Sequence, residues 1–204
     1  MKKATATKKK DDAAHSYPRI VDCNGTEVHI DLLRAGDEDE LLAFAQSLPE
    51  HDLLFMSRDI GQPRVMKAWM RESVELRRMP SLVARANGKV VGCTALMHDD
   101  HSWSPHVGEL RAVVSADARG LGLGRHLIQE GFVQALAVGL EKLVAQMTTD
   151  QRGAIALFES MGFRPEALLS GHVRDRSGRK HDIVVLSHDV AAAQGRMAVM
   201  GVGE

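Results

Sequence analysis

Cysteine is nearly missing from this sequence. Cys23 and Cys93 are the only two, too few for a disulfide framework, and they read as free thiols. No run of 18 apolar residues occurs, so no helical membrane span is indicated. The lysines at the N-terminus have no apolar stretch behind them and do not make a secretory signal. Basic charge is not in excess either: Lys and Arg number 26 against 27 for Asp and Glu, a formal net charge of -1. Five of those lysines fall within residues 2–10, where there is no acid, so residues 11–204 carry 21 basic against 27 acidic side chains, a net -6. A net acidic body argues against a nucleic-acid partner. Internal repeats at periods of 20–50 residues are absent as well. With 44% hydrophobic and 26% charged residues, the chain has globular composition. Its 204 residues suffice for one ordinary domain with tails. The expectation is a soluble, cytoplasmic, single-domain protein with neither membrane nor nucleic acid as partner.

Residues 1–18 read as a disordered Lys/Ala/Thr/Asp tail, residues 19–190 as the domain, and residues 191–204 as a loose C-terminal tail. Within the domain, Val28, Ile30 and Leu32 alternate as in a half-buried strand. Asp37 followed by Glu40 resembles a capping box ahead of an apolar helical stripe that Pro49 ends. Pro63 opens a second helix with Met66, Trp69, Met70 and Val74 on one side. Residues 81–97 form a hairpin around Asn87-Gly88, the pair a type I′ turn needs. A strand at 107–114, a helix at 123–138, a strand at 142–148, a helix at 151–161 with Asp150 as N-cap, and a hairpin around Ser177-Gly178 follow. The order β α α β β β α β α β β describes an α/β fold with a mixed sheet of about seven strands and about four helices.

Chemistry concentrates in Ala118-Arg-Gly-Leu-Gly-Leu-Gly-Arg-His-Leu127, between a strand and a helix. Small residues there let the backbone turn sharply and leave several N–H groups pointing outward at a helix N-terminus. Such amides, with the positive end of the helix dipole, make an anion site. Arg119 and Arg125 add charge-assisted contacts. A Walker P-loop would need Gly-Lys-Ser/Thr, which Arg125-His126 does not supply, and the third glycine comes one residue early for a dinucleotide fingerprint. A phosphate cradle and a plain tight connection both remain open on these residues alone.

Arg119-x-x-Gly122-x-Gly124 resembles the acyl-CoA signature, Gln/Arg-x-x-Gly-x-Gly/Ala, of the GNAT acetyltransferase superfamily. The likeness extends to Ala112-Val113-Val114 at the end of the preceding strand, and to Gln151-x-x-Ala154-x-x-Leu157-Phe158-x-x-x-Gly162-Phe163, in place of Asn-x-x-Ala-x-x-Leu-Tyr-x-x-x-Gly-Phe. It covers roughly residues 27–189. The resemblance implies a GNAT-like sheet splayed between the strands at 107–114 and 142–148. In that V, Ala112, Val113 and Val114 hold the pantetheine arm, and the amides of Gly120, Leu121, Gly122, Leu123, Gly124 and Arg125, with Arg119, take the pyrophosphate. It implies acetyl-CoA as cosubstrate, no metal, and direct transfer to a primary amine on a small molecule or a protein. Dimers are frequent in the family, so a homodimer is an open expectation.

A lysine amine, with a pKa of about 10.4, is neutral only about once in 2,500 at pH 7, a handicap of roughly 4.6 kcal/mol; an α-amine loses only about 1 kcal/mol. A general base therefore matters more for the first class. Glu109, where several family members carry a catalytic glutamate, is the candidate, with an ion pair to Arg111 as the other reading. Phe158 stands where many members have a tyrosine that protonates the thiolate, and the only tyrosine, Tyr17, falls in the expected tail. Gln151 replaces the usual asparagine. These departures leave a non-catalytic CoA-binding regulatory module as the alternative. His98, His101 and His106 have metal-ligand spacing but sit in a polar loop with no helical face to fix them.

Overall fold

The computed structural model describes residues 16–190. Eight strands form one sheet: β1 (Arg19–Cys23), β2 (Thr26–Leu32), β3 (Ser81–Ala86), β4 (Lys89–Met97), β5 (Val107–Val114), β6 (Lys142–Thr148), β7 (Arg164–Arg174) and β8 (Lys180–Asp189). They lie side by side in the order β1-β2-β3-β4-β5-β6-β8-β7. Helices α1 (Glu38–Ser47), α2 (Pro63–Met70), α3 (Leu123–Ala137) and α4 (Arg152–Ser160) cover its faces. No helix among the described residues is long and apolar enough to cross a membrane. Residues 1–15 of the N-terminal tail expected over 1–18, and the whole C-terminal tail expected over 191–204, lie outside the described residues.

Sequence alternation decides which face each helix covers. Along β5, Arg111 and Val113 point one way and Leu110 and Ala112 the other. Val113 joins Val83, Cys93 and Ala95 beneath α1 and α2, whose Leu41, Phe44, Met66 and Trp69 complete that layer. Leu110 packs on the opposite face with Ile128 of α3 and Phe158 of α4. Gly131 of α3 permits that approach, because a Cβ there would lie 2.4 Å from Leu110 Cδ1. Met66, Trp69 and Met70 are all buried.

All neighbouring strands are antiparallel except β5 and β6, and that pair carries the main consequence. Only Val107, Gly108 and Glu109 pair with Lys142, Leu143 and Val144. Beyond that apex, residues 110–114 of β5 and 145–148 of β6 have no ladder between them. The sheet opens into the V expected from the resemblance.

The mixed sheet expected with about seven strands is present, and three local expectations are corrected. The strand not anticipated is β1, which buries only Val21 and Cys23, with Ile20 60% exposed, so its apolar pattern is thin. Its Asn24-Gly25 turn, with φ of 50° and 82°, repeats the geometry of Asn87-Gly88. Tyr17 is packed rather than loose, its hydroxyl donating to Glu130 Oε2 and accepting from Gln134 Nε2. Asp37 does not cap α1 with its side chain, because its carboxylate accepts from the Arg34 amide and from Arg85, which also binds Glu40. Gln151, not Asp150, occupies the N-cap position of α4.

α3 is tied to the sheet edge by its buried Glu130, which accepts from Arg19 and Tyr17. Desolvation raises the Tyr17 hydroxyl well above the ordinary tyrosine value, so it stays a neutral donor there.

Candidate active site

The glycine turn sits where β5 ends. Gly120 and Gly122 have φ of 75° and 89°, while a Cβ at either would meet nothing within 4 Å. Glycine is thus required at both for backbone angle and not for space. Gly124 has the opposite reason: its Cβ would come 2.9 Å from Leu157 Cδ2, so glycine lets α3 approach α4. The amides of Arg125 and His126 turn back onto Gly122 O. Those of Gly120, Leu121, Gly122, Leu123 and Gly124 donate to no group among the described residues. Five unpartnered donors at the start of a 15-residue helix suit a diphosphate, because charged oxygens take N–H bonds and the helix dipole acts in the same sense.

This turn forms one end of a cleft of about 750 Å³ that runs into the V. Ala112, Val113, Val114, Arg119, Gly120, Gly122, Leu123, Gly124, Arg125, Gln151 and Phe158 all line it. Leu121 does not; it packs partly buried against the cluster around Leu123 and Leu127. Gln151 turns its amide oxygen back to accept the Thr148 N–H at 3.1 Å. Phe158 is buried and meets Phe163 edge-on, ring centroids 4.9 Å apart.

Glu109 lies at the apex, in the last paired position of β5. Its Oε1 accepts from Arg111 Nε at 2.9 Å, so the ion pair exists, and Arg111 Nη1 reaches Ser57 Oγ at 3.2 Å. An ion pair does not by itself exclude a base, since the carboxylate keeps a second oxygen. Cys93, on the same side of the sheet, is buried, and desolvation pushes its thiol up to about 12, so it offers no thiolate nucleophile near neutral pH.

Sequence reasoning missed the connection between α1 and α2, which crosses the cleft. His51, Asp52 and Phe55 line it. Asp52 Oδ2 takes Arg119 Nη2 at 2.5 Å, and His51 Nε2 lies 3.1 Å from Asp150 Oδ1. A hydrogen bond at Thr148 and the neighbouring His51 hold the Asp150 carboxyl below its ordinary range, outweighing its slight burial. Arg125, unlike Arg119, meets no carboxylate among the described residues; its Nη2 donates to Ser160 Oγ. Away from the cleft, His98 and His101 each pair with an aspartate of their own loop, and Trp103 there is fully exposed.

Residues 50–163, more than half of the chain, match the family model described as the acetyltransferase (GNAT) family. A protein named IAA acetyltransferase from Azospirillum brasilense is 38% identical over 82 residues, which are 40% of this chain and 52% of that protein. The chain therefore spans about half the length of that relative. Among solved structures, a GNAT-family acetyltransferase from Streptococcus pneumoniae superposes with a TM-score of 0.69 at 24% identity, covering 80% of this chain and 99% of that one. Spermidine N-acetyltransferase from Vibrio cholerae, in complex with CoA and spermine, gives a TM-score of 0.66 at 15% identity, covering 80% and 96%. At such identities these two structures speak for the fold alone.

Proposed function

The chain belongs to the GNAT acetyltransferase family, and from that premise we propose that it is an acetyl-CoA-dependent N-acetyltransferase acting on a primary amine by direct attack. The observation that carries this is the row of unpartnered amides at Gly120–Gly124, at one end of a cleft that continues between the separated ends of β5 and β6. Those amides and Arg119 would hold the diphosphate, and Ala112, Val113 and Val114 the pantetheine arm, as an added strand holds to a sheet edge. Acetyl-CoA supplies an acetyl group already activated as a thioester. The amine nitrogen bonds to the acetyl carbon, and the carbon–sulfur bond breaks with its electron pair on sulfur. Two protons leave the ammonium nitrogen overall. One passes to water through Glu109 before attack, and the other neutralises the departing thiolate.

Phe158 has no proton to give that thiolate. With a thiol pKa of about 8.5, unassisted departure costs only about 2 kcal/mol at pH 7, so a tyrosine is dispensable for turnover. The same residue motivates the second reading, a CoA-binding module without turnover. We place the protein in the cytoplasm on the strength of its two buried, unpaired cysteines.

Thiol release from acetyl-CoA with an amine panel separates the two readings. Release with at least one amine is expected, together with a higher melting temperature in acetyl-CoA but not in ATP or NAD. Stabilisation by CoA with no thiol released by any amine would favour the non-catalytic module.

A further inference from the structure

A second cavity, of about 310 Å³, lies beneath α2 on the side of the sheet that Val113 faces. Its wall is mostly apolar, with Ile60, Val65, Trp69, Met79 and Ala95 among the lining residues. Set into that wall is Arg111, two positions before Val113 on the same face of β5. Val113 lines the acetyl-CoA cleft, so the cavity borders the place where the acceptor has to stand.

Arg111 is only 8% exposed. Its Nε is taken by Glu109 and its Nη1 by Ser57, but Nη2 donates to nothing among the described residues. Nη2 is not sealed off from the cavity that Arg111 lines, so its N–H groups stand open to a group that enters there. The planar fork of those groups matches a carboxylate, which accepts two parallel N–H bonds. Beside it, Glu109 offers its remaining oxygen lone pairs to an ammonium. Cation and anion are 2.9 Å apart, so one guanidinium and one carboxylate stand side by side, as do the two charged groups that an α-amino acid carries on a single carbon. A polyamine would call for an anionic wall, yet the cavity lining sets Glu72 against Arg58 and Arg111, and Glu109 beside it only balances the two cations. A protein N-terminus or a lysine side chain brings no free carboxylate for Nη2.

We propose that the acceptor is a free α-amino acid with an apolar side chain. Its carboxylate binds Arg111, its ammonium gives a proton to Glu109, and its side chain fills the cavity under α2. The nitrogen then attacks with the proton balance given above. This rests on the acetyltransferase reading.

The test is thiol release by the wild-type protein with L-leucine, L-methionine and L-phenylalanine, each beside its carboxamide and its decarboxylated amine, with spermidine as the cationic comparison. At least one amino acid should exceed its carboxamide by about 100-fold or more in kcat/KM, because a site built around an ionic hydrogen bond rejects the analogue that lacks it. Arg111→Gln should raise KM for that amino acid by about 10-fold or more and erase the preference over the carboxamide. Arg111→Lys should fall between, keeping charge without the fork. Should Arg111→Gln fail to fold, the wild-type comparison of acid with carboxamide decides by itself. Spermidine or the carboxamides serving as well as the acids would overturn this acceptor class and leave the acetyltransferase reading standing. No release from any amine, with acetyl-CoA still raising the melting temperature, would overturn both.

Discussion

Gly122→Val should weaken acetyl-CoA binding by about 100-fold or more while leaving the protein folded. The residue holds φ at 89°, where a β-branched side chain costs about 1–3 kcal/mol of strain. Nothing lies within 4 Å of the added Cβ, so the strain is relieved by rotating the backbone rather than by disrupting the core. That rotation re-aims the amides of Gly122, Leu123 and Gly124. Hydrogen bonds to a charged partner are worth about 1.5–3 kcal/mol each, and misdirecting two of them accounts for a loss of that size. Gly88→Val supplies the control. It imposes similar strain at φ 74°, again with nothing within 4 Å, in the β3–β4 turn outside the cleft lining. Calorimetric titration should find its acetyl-CoA affinity unchanged.

Glu109→Gln should lower kcat/KM by about 100-fold or more, within the range expected for loss of a general base. Glutamine keeps an oxygen for Arg111 Nε, so the apex should hold its shape and acetyl-CoA affinity should stay within about twofold. If Glu109 accepts the proton, kcat falls with KM little changed. If it only orients Arg111, KM rises and kcat is largely kept. The first pattern is the one expected here.

The parts of the site that sequence made legible are those fixed by short-range geometry. Strand, glycine turn and helix follow one another between Val107 and Ala137, and a left-handed residue with an exposed helix start needs glycine at a definite spacing. The same holds for Asn87-Gly88, where both residues take positive φ. What stayed hidden depends on distant segments meeting. Asp52 finds Arg119 67 residues away, and His51 finds Asp150 99 residues away; neither has a local pattern to announce it. Asp37 was misread for a related reason, since a capping signal cannot show that Arg85, 48 residues on, competes for the same carboxylate. Tyr17 follows a stretch without periodicity, and its partner Glu130 sits on a helix 113 residues later. The Glu109–Arg111 pair was legible as a possibility from i, i+2 spacing, but the free Nη2 and the cavity beside it required α2 and β4 in place.

Amide hydrogen exchange at residues 120–125, with and without saturating CoA, addresses the central claim most directly, because it reads the N–H groups themselves. The amides of Gly120–Gly124, unpartnered in the free protein, should exchange quickly alone and slow by an order of magnitude or more with CoA, and NAD should leave them fast. Unchanged exchange there, at a CoA concentration that calorimetry shows to be saturating, would contradict the account.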